Sequence, residues 1–139
     1  MKLGKTINEI KIGDGISVEI TITDEQIKKF AEATGDFNPL HVDDDYAKKS
    51  PFKKRVAHGV LLSGIVSGVI GMKLPGLGTV ARDMYSKFMR PVFIGDVLTI
   101  DAKITEIKEK IKTCKIEFIV KNQDKKKVGK GYATVIPRI

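Results

Sequence analysis

The chain has 139 residues, 42% hydrophobic and 30% charged, without a low-complexity stretch, which predicts one globular domain spanning residues 1–139 around one core. Its one cysteine, Cys114, excludes an internal disulfide, and the opening Met-Lys-Leu-Gly-Lys-Thr lacks the apolar core of a signal peptide, so a cytoplasmic location is expected. The net charge of +8 permits phosphate-bearing partners, but aromatics are only 6% and none interleaves with the lysine clusters at 108–115 and 125–127 as a stacking platform would require. Those clusters read as solvated surface, and no nucleic-acid partner is expected.

Ile16 to Ile22 alternates apolar with polar residues and predicts a first strand. Thr23 and Gln26 form a capping-box pattern, with Ile22 and Ile27 spaced as a hydrophobic staple. A helix over 24–34 then places Ile27, Phe30, Ala31 and Thr34 on its buried side, and Gly35 suits its C-terminal stop.

The stop delivers the chain into Asp36-Phe37-Asn38-Pro39-Leu40-His41. Pro39 has no N–H, and its ring pushes Asn38 away from the α region, so the expectation here is an irregular, ordered loop rather than a turn of helix. Asp43 to Lys49 runs from acidic to basic, the charge order of a short helix aligned with its own dipole, and Ser50-Pro51 ends it. The dipole accounts for the consecutive Asp43, Asp44 and Asp45, no Cys/His spacing supports zinc, and no metal is expected.

Arg55-Val56-Ala57-His58-Gly59 opens a stretch, Ala57 to Met72, that is apolar all round and interrupted by small residues. Gly64 and Gly68 have the spacing of a membrane helix-dimer motif. The uncharged run is nevertheless short beside the ~20 residues of a membrane span. A central helix wrapped closely by a sheet is the expectation, and no membrane partner.

The remainder reads as β-structure. One strand precedes Pro91, running from about Thr79 through Tyr85 and Phe88; a second alternates Leu98, Ile100, Ala102 and Ile104 with polar residues. A third puts Cys114, Ile116, Phe118 and Val120 on one face, opposite Thr113, Lys115 and Glu117. Cys114 is then a small hydrophobe in phase with the core. Asn122 to Lys127 is a polar hairpin connection, and Lys127 to Ile136 returns. The fold class is α+β.

Three motifs, Asp36 to His41, Val56-Ala57-His58-Gly59 and Phe88-Met89-Arg90-Pro91-Val92-Phe93-Ile94-Gly95-Asp96, resemble in order and separation those of the MaoC-like (R)-specific enoyl-CoA hydratases. The resemblance covers most of the chain. It implies a hotdog fold, a curved antiparallel sheet wrapped around a long central helix. It also implies pairing into a homodimer or larger homo-oligomer. Lys53-Lys54 departs from the family, where many relatives carry a glycine on the approach to the His-Gly motif.

The residues suit the chemistry that the resemblance implies. Adding water to a trans-2-enoyl thioester needs a base at C3, an acid at C2 and donors for the enolate oxygen. Asp36 and His41 can each exchange a proton when the site tunes them. Gly59, at a helix start, presents an unpaired N–H and lets a thioester oxygen approach. By resemblance Asp36 and His41 hold the water between them, Gly59 is the oxyanion donor, and Asn38 and Ser67 support the pair. Ile70 and His58 are candidate substrate-binding residues, with His58 also serving as a helix-start or packing residue. Singly, Asp36 is a turn residue after a helix and His41 a hydrogen-bonded surface histidine; the conjunction makes the hydratase reading. The substrate is an acyl-CoA or acyl-carrier-protein thioester, with short to medium acyl groups and no further cofactor. The alternatives are a hotdog thioesterase and a non-catalytic acyl-thioester-binding module.

Overall fold

The computed structural model describes residues 2–139. Five strands form one antiparallel sheet: β1 (Gly15–Thr21), β2 (Val80–Phe88), β3 (Val97–Lys108), β4 (Thr113–Lys121) and β5 (Lys127–Ile136). Their spatial order is β1-β3-β4-β5-β2, so β1 and β2 are the edges and β2 pairs with the last strand of the chain. A helix, α4 (Gly59–Lys73), lies on one face. Three helices precede it: α1 (Asp24–Thr34), α2 (Pro39–Val42) and α3 (Asp44–Lys48).

The core forms where alternation and helical spacing meet. Leu62, Val66, Val69 and Ile70 of α4 join Leu98, Ile100 and Ile104 of β3, Ile116 and Val120 of β4 and Val135 of β5 in one buried cluster. Fully burying each such aliphatic side chain contributes about 1.5–3 kcal/mol. Cys114 is buried on the same face, and burial pushes its thiol up to about 11, as expected of a core residue rather than a nucleophile. Thr113, expected to face solvent, is buried as well, after a register shift between Ile104 and Glu106 in the β3–β4 ladder.

The predicted α1 is found with its capping box: the Gln26 N–H donates to Thr23 Oγ1 at 3.2 Å and the Thr23 N–H to Gln26 Oε1 at 2.9 Å. Ile22 and Ile27, the staple pair, are both buried. Gly35 takes φ 77°, the left-handed region glycine enters freely, and its N–H closes the helix on the Ala31 carbonyl. Thr34, placed on the buried side by periodicity, is exposed, and its hydroxyl donates to the Phe30 carbonyl at 2.7 Å.

Two expectations are corrected. Residues Pro39–Val42 form a turn of helix, not an irregular loop: Pro39 stands in the first turn, where its missing N–H leaves nothing unsatisfied, and Asn38 before it takes the non-helical cap position. The central helix is not covered all round. Val60 and Met72 are 61% and 65% exposed, and Gly64, Ser67 and Gly68 lie on the same uncovered side. One sheet contacts one face, so an apolar pattern on every side of α4 exceeds what a single chain buries. No helix of the described residues is long and apolar enough to cross a membrane.

Candidate active site

Each end of the Asp36–His41 stretch is tied by short backbone geometry. The Asn38 N–H donates to Asp36 Oδ1 at 3.2 Å, and Asn38 Oδ1 accepts from the Leu40 N–H at 3.1 Å. Asn38 thus fixes the carboxylate on one side and caps the turn that carries His41 on the other.

His41 Nδ1 lies 2.7 Å from the Val56 carbonyl oxygen. A carbonyl only accepts, so Nδ1 carries the proton and Nε2 presents a lone pair. The same stretch is held by main-chain bonds from the Val56 N–H to the Leu40 carbonyl and from the Ala57 N–H to the Val92 carbonyl. The third motif therefore supports the first two. Its Asp96 is buried, accepting from the Phe93 N–H and from Gln123 Nε2.

Arg55 adds an anchor that sequence reading did not assign. Its buried guanidinium donates to Asp24 of α1 at 2.9 Å, to Asp44 of α3 at 2.8 Å and to the His41 carbonyl at 3.4 Å. Asp24 in turn is held below the usual carboxylate range, first by the hydrogen bond from Lys28 and then by Arg55. Nothing in sequence spacing links residues 24, 44 and 55.

His58 is 2% exposed at the N-cap of α4 and makes no capping bond. Its Nε2 lies 3.1 Å from the Asp36 carbonyl oxygen, and its ring packs on His41 with centroids 4.0 Å apart and planes 30° apart. Gly59 follows as the first residue of α4, and no hydrogen bond to its N–H is found among the described residues. A Cβ on Gly59 would fall 2.9 Å from the Phe88 ring, so packing against that ring requires a glycine here.

One carboxylate oxygen of Asp36 and one ring nitrogen each of His41 and His58 lie within 4.8 Å of one another. The distances alone would admit a metal ion. The His41 and His58 rings are tilted by 30°, Nε2 of His58 is engaged by the Asp36 carbonyl, and its Nδ1 has no partner. A single water also fits, since two hydrogen bonds of about 2.8 Å span such a gap.

A groove of about 350 Å³ reaches His58 and Gly59 between Leu62, Phe88 and Val92. Ser67 and Ile70 are elsewhere: they line a separate cavity of about 80 Å³ with Met84 and Val135. Ser67 stands eight residues beyond Gly59, roughly 12 Å along the helix at 1.5 Å per residue. A broader hollow of about 940 Å³, bounded by Tyr85, Glu117 and Tyr132, includes none of these residues.

The MaoC-like domain family matches residues 8–128. The chain belongs to the MaoC-like family. Among curated relatives, this MaoC-like chain is 42% identical over 97 residues to the (R)-specific enoyl-CoA hydratase of Rhodospirillum rubrum, covering 70% of this chain and 67% of the relative. It is 36% identical over 99 residues to the 3-hydroxybutyryl-CoA dehydratase of Methylorubrum extorquens, covering 71% and 62%. The chain thus spans about two thirds of the length of these relatives. Among solved structures, the unliganded R-hydratase PhaJ1 from Pseudomonas aeruginosa superposes with a TM-score of 0.91 at 32% identity, covering 97% of this chain and 86% of that one. The (R)-hydratase from A. caviae gives 0.88 at 28%, covering 92% and 97%. The α+β hotdog architecture is shared with them.

Proposed function

We propose that this MaoC-like protein reversibly hydrates trans-2-enoyl thioesters to (R)-3-hydroxyacyl thioesters. The observation that carries the reading is the Asp36–His41 pair: a carboxylate within water-bridging distance of an imidazole whose Nδ1–H is spent on Val56, leaving Nε2 as an acceptor.

A water between the two donates one O–H toward Nε2 and the other toward the Asp36 carboxylate. As its oxygen attacks C3, the C2=C3 electron pair moves onto the thioester oxygen and one member of the pair takes the water proton. The Gly59 N–H at the start of α4 stabilises that oxyanion, where the free N–H and the helix dipole act together. The enolate collapses, and C2 takes a proton from the pair. Water is thereby added with no net change in the protein. Because one site delivers both oxygen and proton, addition occurs on one face.

A thioester of CoA or of an acyl carrier protein is the substrate class, and the basic chain suits the phosphates of the first and an acidic surface of the second. A homodimer is supported by the β2 edge and the uncovered face of α4. Val80, Tyr85 and Phe88 on the strand and Val60 and Met72 on the helix expose apolar surface that a second copy would bury.

The test is purified protein with crotonyl-CoA, following enoyl absorbance, free thiol and product configuration. The reading predicts loss of absorbance, no thiol, and (R)-3-hydroxybutyryl-CoA. Thiol release would instead indicate a thioesterase.

A further inference from the structure

We propose that His58 is a positioning residue that aligns the Asp36–His41 pair, an assignment that rests on the hydratase reading. His58 occupies the N-cap of a 15-residue helix, a place where Ser, Thr, Asp or Asn would satisfy a free backbone N–H. It does not cap. Its side chain turns instead toward the loop that carries Asp36.

Three contacts define what it does there. The Nε2–H donates to the main-chain carbonyl of Asp36, fixing the residue from which the carboxylate projects. One ring face packs on the imidazole of His41, restricting rotation of the ring whose Nε2 meets the water. Phe30 of α1 supports the His58 ring with centroids 4.7 Å apart. A single buried ring therefore ties the carboxylate loop, the imidazole and, through the next peptide, the Gly59 N–H.

Packing alone does not explain the residue. Nδ1 of His58 is buried without a hydrogen-bond partner, which is unfavourable for folding. A phenylalanine would fill the same space, stack on His41 and remove the orphaned nitrogen. The one contact it could not reproduce is the donation to the Asp36 carbonyl. Histidine carries that contact at the expense of an unsatisfied atom, which places its value in alignment rather than in stability.

The substitutions His58→Phe and His58→Gln separate the two roles. Phenylalanine keeps a ring and loses the donor; glutamine loses the ring and keeps a side-chain N–H. With crotonyl-CoA, His58→Phe is expected to lower kcat about 100-fold, the scale of an ångström-sized misplacement. KM, the Kd for unreactive butyryl-CoA and Tm should stay at or above wild-type quality. His58→Gln is expected to recover at least a tenth of wild-type kcat. Wild-type kcat in His58→Phe would overturn the proposal in favour of packing. Raised KM with unchanged kcat would overturn it in favour of a substrate contact. Should the phenylalanine variant fail to fold, the glutamine variant carries the test, and loss of kcat beyond tenfold in a folded His58→Gln overturns it.

A second readout needs no variant and no substrate. The chain has only two histidines, so a two-bond ¹H–¹⁵N spectrum resolves both tautomers. His58 should carry its proton on Nε2; a proton on Nδ1 would overturn the proposal. An inert wild-type protein would sink the hydratase reading while leaving this contact independently tested.

Discussion

His41 Nδ1 and the carbonyl oxygen of Val56 stand 2.7 Å apart, and this hydrogen bond occupies Nδ1 and leaves Nε2 as the free ring nitrogen. An asparagine at position 41 can place its amide N–H near the position of Nδ1 but has nothing in place of Nε2. His41→Asn should therefore fold with little change in Tm and lose about 10²–10⁴-fold in kcat, the usual contribution of a positioned acid–base group. Paired thermal melts and crotonyl-CoA kinetics check this. A large fall in Tm would show that the ring serves structure first.

Gly59→Ala keeps the main-chain N–H but drives a methyl to 2.9 Å from the Phe88 ring. A stability loss of about 1–3 kcal/mol is expected, typical of overpacking. Phe88→Leu in the same chain should restore most of it, because the clash is with that ring. Chemical denaturation of the two single variants and the double variant measures the coupling.

Arg55→Leu removes the link between α1, α3 and the His41 carbonyl. Asp24 and Asp44 keep 38% and 86% side-chain exposure, so both carboxylates can be hydrated once the guanidinium is gone. The expected loss is about 1–3 kcal/mol, below that of stranding a fully buried charge. Arg55→Lys should not rescue it, since one ammonium cannot reproduce a fork that holds two carboxylates. Denaturant midpoints of both variants provide the check.

Asp24 supplies a pH signature. Its carboxyl is held below its ordinary 3.8, first by the Lys28 hydrogen bond. A depressed native pKa means that the stabilisation is fully present above 3.8 and is lost as the pH falls through the lowered value. With its side chain 38% exposed, solvent screens part of the effect. Asp24→Asn should flatten the acid limb of stability below that point and leave its slope near neutrality unchanged. Denaturant midpoints measured from acid to neutral pH would reveal an unaltered acid limb if the account were wrong.

Much of the architecture was legible because local signals and burial agree. The Thr23–Gln26 capping box, the Gly35 stop and the alternation of Leu98, Ile100, Ala102 and Ile104 all appear where spacing puts them. Pro39 misled because a residue that breaks helices in their interior is at home in a first turn, and Asn38 beside it is a cap. The all-round apolar α4 could not reveal that the sheet covers only one side, because hydropathy says that a face needs cover without saying what covers it. Asp36, Asn38 and His41 are near neighbours in sequence, and the structure brings them together. Arg55 with Asp24, and His58 on His41, are contacts across 31 and 17 residues that no periodicity encodes.

In the proposed mechanism Asp36 and His41 act on one water as a unit. The most direct measurement is kcat for crotonyl-CoA hydration by wild type, Asp36→Asn, His41→Asn and the double variant. Groups that act together lose their function together, so the double variant should be about as slow as the slower single variant. Losses that multiply, or a single variant retaining wild-type turnover, would contradict the account.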